Sequence, residues 1–479
     1  MDNNSENSSE NTSVCTMEDN INDNINTISW NDPEFSLDDL NDIEEDIFET
    51  MEEYMKNEII TLSSPNFYKN FVEDITNWYY EYWLDCGICE EDDYDEIEEI
   101  IQNLSELYFD ICDIPLRSMF NSSNEDQDNV KDIDKIMKKI NELKSIPQAK
   151  QKSLEWNNIR NNLLTASNIW KIFSTDAQRN SLIYEKCKPI DENRIDYMNA
   201  NTNGALHWGV KYEPVTVMLY EYMYNTKIDD FGCIPHKKYN YIGASPDGIN
   251  CDPNNTMLFG RMIEIKNIYN REITGKPKED YWIQTQIQME TCDLDECDFI
   301  ETRIKEYENE IAFYEDTEHE YKGVILYFIK RTNTFSSPNN NTNSNFNVPI
   351  YKYMPLTIEK DKMNIDIWIK ETKELYKQDF VLFNTIYWYL DEISCVLIKR
   401  NTLWFESALP KIKECWDTIV KERVEGYEHR ASKKKIKNEV IVQQMDNNDK
   451  HIKNLPLSNS ICLVKLSGNE SSSNITMNI

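Results

Sequence analysis

Between residues 94 and 111 apolar side chains fall at Ile97, Ile100, Ile101, Leu104, Leu107 and Tyr108, the three-and-four spacing of one helix face. With the aromatic-rich run FYKNFVEDITNWYYEYWLD just before it, this pattern predicts a helical N-terminal domain over 41–120. Residues 121–150 follow as a polar linker and a lysine-rich helix, VKDIDKIMKKINELK, broken at Pro147. The period then changes. In MIEIK at 262–266 the side chains alternate, so Ile263 and Ile265 face one way while Glu264 and Lys266 face the other, as in a strand. Further on, Tyr281, Gln284 and Gln288 share one helical face and Ile283 and Ile287 pack behind it. CDFIETRIKEYENE and YKGVILYFIKR read as strand, polar insertion and strand, the last completing the sheet. The asparagine-rich stretch SSPNNNTNSN makes 336–350 a flexible loop, and the aromatic and apolar segments of 351–430 predict a helical C-terminal extension.

The fold class expected is therefore α/β, with a mixed central β-sheet flanked by helices over 151–335 and helical additions at both ends. Composition changes this picture at the termini. The net charge of -36 argues at first against a partner as acidic as nucleic acid. Its distribution removes the objection: by residue 128 there are 36 acidic residues against 3 basic, whereas 129–479 holds 50 acidic and 47 basic. Residues 1–40, rich in Asn, Ser, Asp and Glu, form a disordered acidic tail by composition, and 431–479 a polar tail with the basic run SKKKIKNEV. No basic patch followed by an apolar run opens the chain, and no apolar stretch reaches the roughly 18 residues of a membrane span. The 12 cysteines scatter without a disulfide framework, which fits a reducing intracellular compartment, whether cytoplasm, viral factory or nucleus. CGIC at 86–89 lacks the second pair that a zinc site needs.

The chemistry gathers between Tyr241 and Gln288. Asp247 lies in Ser-Pro-Asp-Gly, where Pro246 presets a turn and Gly248 permits an unusual backbone angle. The return through Asp252 to Arg261 as a hairpin sets Asp247 beside Glu264. Two carboxylates there make an oxygen-rich site for a hard divalent cation, which lowers the pKa of a bound water and stabilises charge on a phosphate. Lys266 holds that water or helps to deprotonate it. Each element alone is an ordinary turn or an edge strand; their ordered combination points to a metal-dependent nuclease.

This combination resembles the PD-(D/E)XK nucleases, and within them the YqaJ-type viral recombinases that include the phage lambda-type exonucleases. EWNNIRNNLLTASNIWKIF at 155–173 is similar to the family's opening motif and ALHWGVKYEPVTVMLYE at 205–221 to its Trp-Gly helix, while Tyr281 and Gln284 match the helix after the catalytic strands. The match runs in family order over roughly 150–330. It implies a restriction-endonuclease-like core that hydrolyses phosphodiester bonds with Mg²⁺ or Mn²⁺, two ions being expected. Asp247, Glu264, the main-chain carbonyl of Ile265 and Glu213 would bind metal, Lys266 and Gln284 would act on water, and Arg160 with Ser167 would engage a terminal 5′-phosphate. Tyr281 and Arg271 are candidate DNA contacts, as are Lys276 and Lys278. The partners implied are double-stranded DNA ends, a single-strand annealing protein and further copies of the chain, and the role is 5′ to 3′ resection for viral recombination or repair. A structure-selective endonuclease and a noncatalytic DNA-binding scaffold are the alternatives. His207, beside Trp208, reads as a packed histidine rather than a general base.

Overall fold

In the computed structural model the described residues are 37–115, 117, 119–120, 131–149, 153–190, 204–331 and 349–431. Nearly all of the 1–40 tail, the polar linker after residue 120, most of the 336–350 loop and the 431–479 tail beyond Ala431 lie outside them. Three helices come first: α1 (Leu37–Glu58), α2 (Phe67–Cys86) and α3 (Tyr94–Ile111). The α3 stripe is buried as its spacing requires, except that Leu107 is left exposed. Gly87, at φ +71°, ends α2 in the left-handed region, so CGIC is a helix terminus, with Cys86 exposed and Cys89 buried. The short strand β1 (Met119–Phe120) precedes α4 (Ile133–Ser145), which the Asp132 side chain caps by accepting from Lys135 N at 3.0 Å.

Next come α5 (Leu154–Asn161), β2 (Leu164–Thr165), α6 (Ala166–Ile169), α7 (Asp176–Cys187) and α8 (Ala205–Tyr224). Five strands follow, β3 (Ile228–Asp229), β4 (Ile234–Pro235), β5 (Ile242–Ala244), β6 (Gly248–Asn250) and β7 (Met262–Asn267), and then α9 (Glu279–Cys292). The chain continues through β8 (Glu296–Glu306), α10 (Glu310–Glu315), β9 (Lys322–Lys330), β10 (Ile350–Tyr353), α11 (Lys362–Tyr376), β11 (Phe380–Lys399) and α12 (Thr402–Glu425). The main sheet runs β10-β9-β11-β8-β7-β6-β3, with β1 also on β11, and a small sheet runs β2-β5-β4. In the main sheet β7 and β8 are parallel and the other pairs antiparallel, so the expected mixed sheet flanked by helices is present.

The helical reading of 351–430 is corrected at its centre. Residues 380–399 form a 20-residue strand in the middle of the sheet: Phe380–Tyr389 pairs with β9 and Trp388–Lys399 with β8. Its aromatic and β-branched residues suit a pleated, half-buried surface, and register shifts at Leu382/Asn384 and Leu390/Glu392 let so long a strand bend. Consequently β9 does not complete the sheet beside β8; β11 lies between them. Trp388 is fully buried there. It packs against Gly323, where a Cβ would stand 2.9 Å from the indole.

The N-terminal helices do not keep a core of their own. Their buried side chains run into those of α9 and α12 as one apolar cluster, and the chain up to Ala431 is one compact unit. Polar ties reinforce the joint. Ser63 Oγ donates to Glu279 Oε1 at 2.8 Å, Trp404 Nε1 to Ile60 O at 3.1 Å, and Trp282 Nε1 to Arg117 O at 2.7 Å. The Arg117 guanidinium donates to the carbonyls of both Ser63 and Pro277. No described helix is long and apolar enough to cross a membrane.

Candidate active site

The turn from Ser245 to Gly248 joins β5 to β6, and the hairpin return pairs Gly248 with Ile263 and Ile249 with Met262. This register puts Asp247 at the β7 backbone, where its Oδ2 accepts from Ile265 N at 2.7 Å. Gly248 is needed for a different reason from the one its turn suggested. Its φ is not in the left-handed region; a Cβ there would come within 2.2 Å of Ile228 Cγ2, so glycine permits the close approach of β3. The alternation of β7 holds: Ile263 and Ile265 pack with Tyr220 and Ile300, and Glu264, on the other face, is 1% exposed.

A carboxylate this buried requires donors, and α9 supplies two. Gln284 Nε2 reaches Glu264 Oε1 and Gln288 Nε2 reaches Glu264 Oε2, each at 2.7 Å, and the Lys266 ammonium also lies on Oε1. Gln288, fully buried, further donates to Ser245 O at 3.3 Å. The two glutamines are one helical turn apart, and Gln288 is the residue that sequence reasoning undervalued. A buried amide four residues from another, on a helix otherwise packed in the core, was the available signal.

Charge is unbalanced here. Burial, then Glu264, then Glu213 push the Asp247 carboxyl well above its ordinary range, and Lys266 and the Ile265 amide only partly oppose them. Burial alone would depress the Lys266 ammonium, but Glu264 and Asp247 outweigh it and raise its pKa. The Lys266 ammonium also lies 4.9 Å from the centre of the Tyr281 ring. Among the described residues no three His, Cys, Asp or Glu side chains converge closely enough to hold an ion alone. Two carboxylates with a third nearby still fit Mg²⁺, which keeps several waters and takes its remaining oxygens from substrate phosphate.

A second group of polar side chains stands on the α6 side of α9. Arg160 Nη2 donates to Ser167 Oγ at 3.1 Å and lies 3.5 Å from Thr165 Oγ1. Its guanidinium stacks 4.5 Å from the Trp156 ring centre. Burial lowers the Arg160 pKa, and it pushes that of Lys186, whose Nζ donates to Arg160 O at 2.7 Å, down to about 8. An anion would relieve both costs. The β2–β5 pairing sets Thr165 opposite Gly243, four residues before Asp247 in the chain.

Other candidates are engaged differently. Arg271 forms an ion pair with buried Glu301 and lies 5.7 Å from the Tyr281 ring centre, so its first role is structural; Lys276 and Lys278 are exposed. His207 is packed, its Nε2 2.6 Å from the Tyr351 hydroxyl.

Residues 155–295, which include every side chain of both groups, match the family model described as YqaJ-like viral recombinase domain. An uncharacterized protein of Acanthamoeba polyphaga mimivirus is 29% identical over 313 residues, covering 59% of this chain and 54% of that protein. The chain thus spans about half the length of the curated relative it matches. Among solved structures, an alkaline exonuclease (LHK-Exo) from Laribacter hongkongensis is 16% identical, with 57% of this chain and 94% of that chain covered and a TM-score of 0.31. A phage related exonuclease from Haemophilus somnus 129PT is 14% identical, with 57% and 99% covered and a TM-score of 0.28.

Proposed function

Because residues 155–295 carry a YqaJ-like viral recombinase domain, we propose that this chain is a metal-dependent DNA exonuclease that hydrolyses one strand from duplex ends, 5′ to 3′. The observation that carries this reading is the unbalanced carboxylate set: Asp247 and Glu264 are brought together by the β6–β7 hairpin against their own repulsion and that of Glu213. A purely structural site does not need that cost. Asp247, Glu264, the Ile265 carbonyl and Glu213 would hold Mg²⁺ or Mn²⁺, two ions in all. Bound there, the metal supplies an acidified water and charge stabilisation for the phosphate.

The protein's own groups do the rest. Lys266 hydrogen-bonds the attacking water or a phosphate oxygen. Gln284 and Gln288 hold both Glu264 oxygens in place, so each is a positioning residue. Arg160, Ser167 and Thr165 receive a terminal 5′-phosphate, which sets the direction of attack. The product, a single strand, would enter recombination or repair with an annealing partner, and assembly into a homo-oligomer belongs to the same reading.

The test compares 5′-phosphorylated linear duplex with a closed circle, in Mg²⁺ or EDTA, for the wild type and Lys266→Ala. Loss of the linear substrate alone, dependent on metal and reduced on the order of 10²-fold or more by the substitution, is the expected result. Arg160→Ala should then erase the preference for a 5′-phosphate over a 5′-hydroxyl end. Cutting of the circle would favour a structure-selective endonuclease, and no cutting by folded, metal-loaded protein would favour a DNA-binding scaffold. Separately, Gln288→Leu is expected to weaken Mn²⁺ binding about 10- to 100-fold, the usual cost of losing a group that orients a ligand. Calorimetric titration measures it, and unchanged affinity would remove Gln288 from the site.

A further inference from the structure

Resting on the reading of Arg160, Ser167 and Thr165 as a 5′-phosphate pocket, we infer that Arg423, on the C-terminal helix α12, is a positioning residue for that pocket. Arg423 lies in the last turn of α12, 262 residues along the chain from Asn161. Its guanidinium reaches two backbone segments at once. Nη2 donates to Asn161 O at 2.7 Å and to Lys186 O at 2.8 Å, Nε donates to Lys186 O at 3.1 Å, and Nη1 donates to Asn162 Oδ1 at 3.3 Å. Lys186, 5% exposed, in turn donates from Nζ to Arg160 O at 2.7 Å.

These acceptors lie at the ends of two helices. The last carbonyls of an α-helix have no partner within it, and the negative end of its dipole favours a cation. Arg160 and Asn161 end α5, and Lys186 and Cys187 end α7. Arg423 ties one end to the other, and the Cys187 thiol adds a second link to α12 by donating to Ile419 O at 3.6 Å.

Helix α5 needs such a tie. It has eight residues, none of them fully buried, so it is too short to be stable alone and has no apolar anchor in the core. The other half of the pocket is fixed independently: Thr165 is 1% exposed, pairs through β2 with β5, and caps α6, which carries Ser167. Where the Arg160 guanidinium stands relative to Ser167 is therefore set by Arg423 and Lys186 at the end of α5. Arginine suits the task, since its planar fork presents donors in fixed directions, whereas a lysine has one nitrogen for the same three acceptors. Charge points the same way. Burial, and then Arg160 and Arg423 against the opposing Glu185, disfavour the charged form of Lys186, a cost that a bound phosphate relieves.

The experiment measures the affinity of the full chain for linear duplex with 5′-phosphate or 5′-hydroxyl ends, by fluorescence anisotropy in EDTA, where no strand is cut. The wild type is expected to bind the phosphorylated end more tightly. Arg423→Ala is expected to lose roughly tenfold of that preference, the size of one displaced charge-assisted hydrogen bond, with its affinity for the hydroxyl end unchanged. Arg423→Lys should fall between the two. Both ends are read on the same preparation, so a general loss of folded protein weakens both alike and does not move their ratio. The inference is overturned if Arg423→Ala, or Arg423→Lys where the alanine variant does not fold, keeps the wild-type ratio. A wild type that binds both ends equally overturns it together with the pocket. Degradation of linear duplex by the wild type in Mg²⁺ scores the nuclease reading separately, so one can fail without the other.

Discussion

Asp247→Asn is expected to remove metal-dependent DNA cleavage, on the order of 10²- to 10³-fold or more, while leaving the protein at least as stable as before. The two effects have one cause. Asp247 lies where burial and the charges of Glu264 and Glu213 oppose its ionisation, so a neutral amide relieves repulsion in the folded state. The hydrogen bond from Ile265 N survives, because the asparagine Oδ1 accepts it in place of the carboxylate. What is lost is the charge that a divalent cation would pair with. Thermal unfolding with and without Mg²⁺ separates the two: added metal should raise the midpoint of the wild type, since a ligand that binds only the folded state stabilises it, and should leave the variant unmoved. A variant that unfolds at lower temperature and still cleaves would sink the assignment.

Trp388→Ala is expected to cost about 3–5 kcal/mol, the range for emptying a buried aromatic site. Its indole is fully buried in β11 and packs on Gly323 of β9, and the backbone around it bonds to strands on both sides. The cavity cannot collapse easily, because Gly323 has no side chain to move into it. Denaturant unfolding of the whole chain measures the loss. A cost below about 1 kcal/mol, the level of an exposed substitution, would mean that this segment is an appendage and not the centre of the sheet. The same pairing implies that residues 380–399 cannot be removed without exposing both β8 and β9 as unpaired edges.

Much of the site was legible because its parts are close in sequence. The alternation of Met262–Lys266 assigns Glu264 and Lys266 to one face wherever the strand ends up. A turn followed by a hairpin return brings Asp247 to that strand within 20 residues. Helical spacing puts Gln284 and Gln288 on one side of α9, and the seven residues from Arg160 to Ser167 are short enough for their side chains to meet. Arg271 was less legible. A loop arginine looks available for phosphate until the fold sets Glu301, on the neighbouring strand, against it.

Local periodicity was enough to give the α3 core apart from Leu107, the apolar face of β7, and which two carboxylates and which lysine lie together. These are consequences of backbone geometry over a few residues, and tertiary context only fills in what each face meets. The tertiary structure alone decided that residues 380–399 are a strand, because an aromatic and β-branched run satisfies its backbone either within a helix or along a sheet edge, and the edges of β8 and β9 are contributed from far along the chain. It also decided that the N-terminal helices share a core with α9 and α12, and that Gly248 serves the close approach of Ile228 rather than a backbone angle. In each case the deciding atoms come from another part of the chain, and no local pattern carries them.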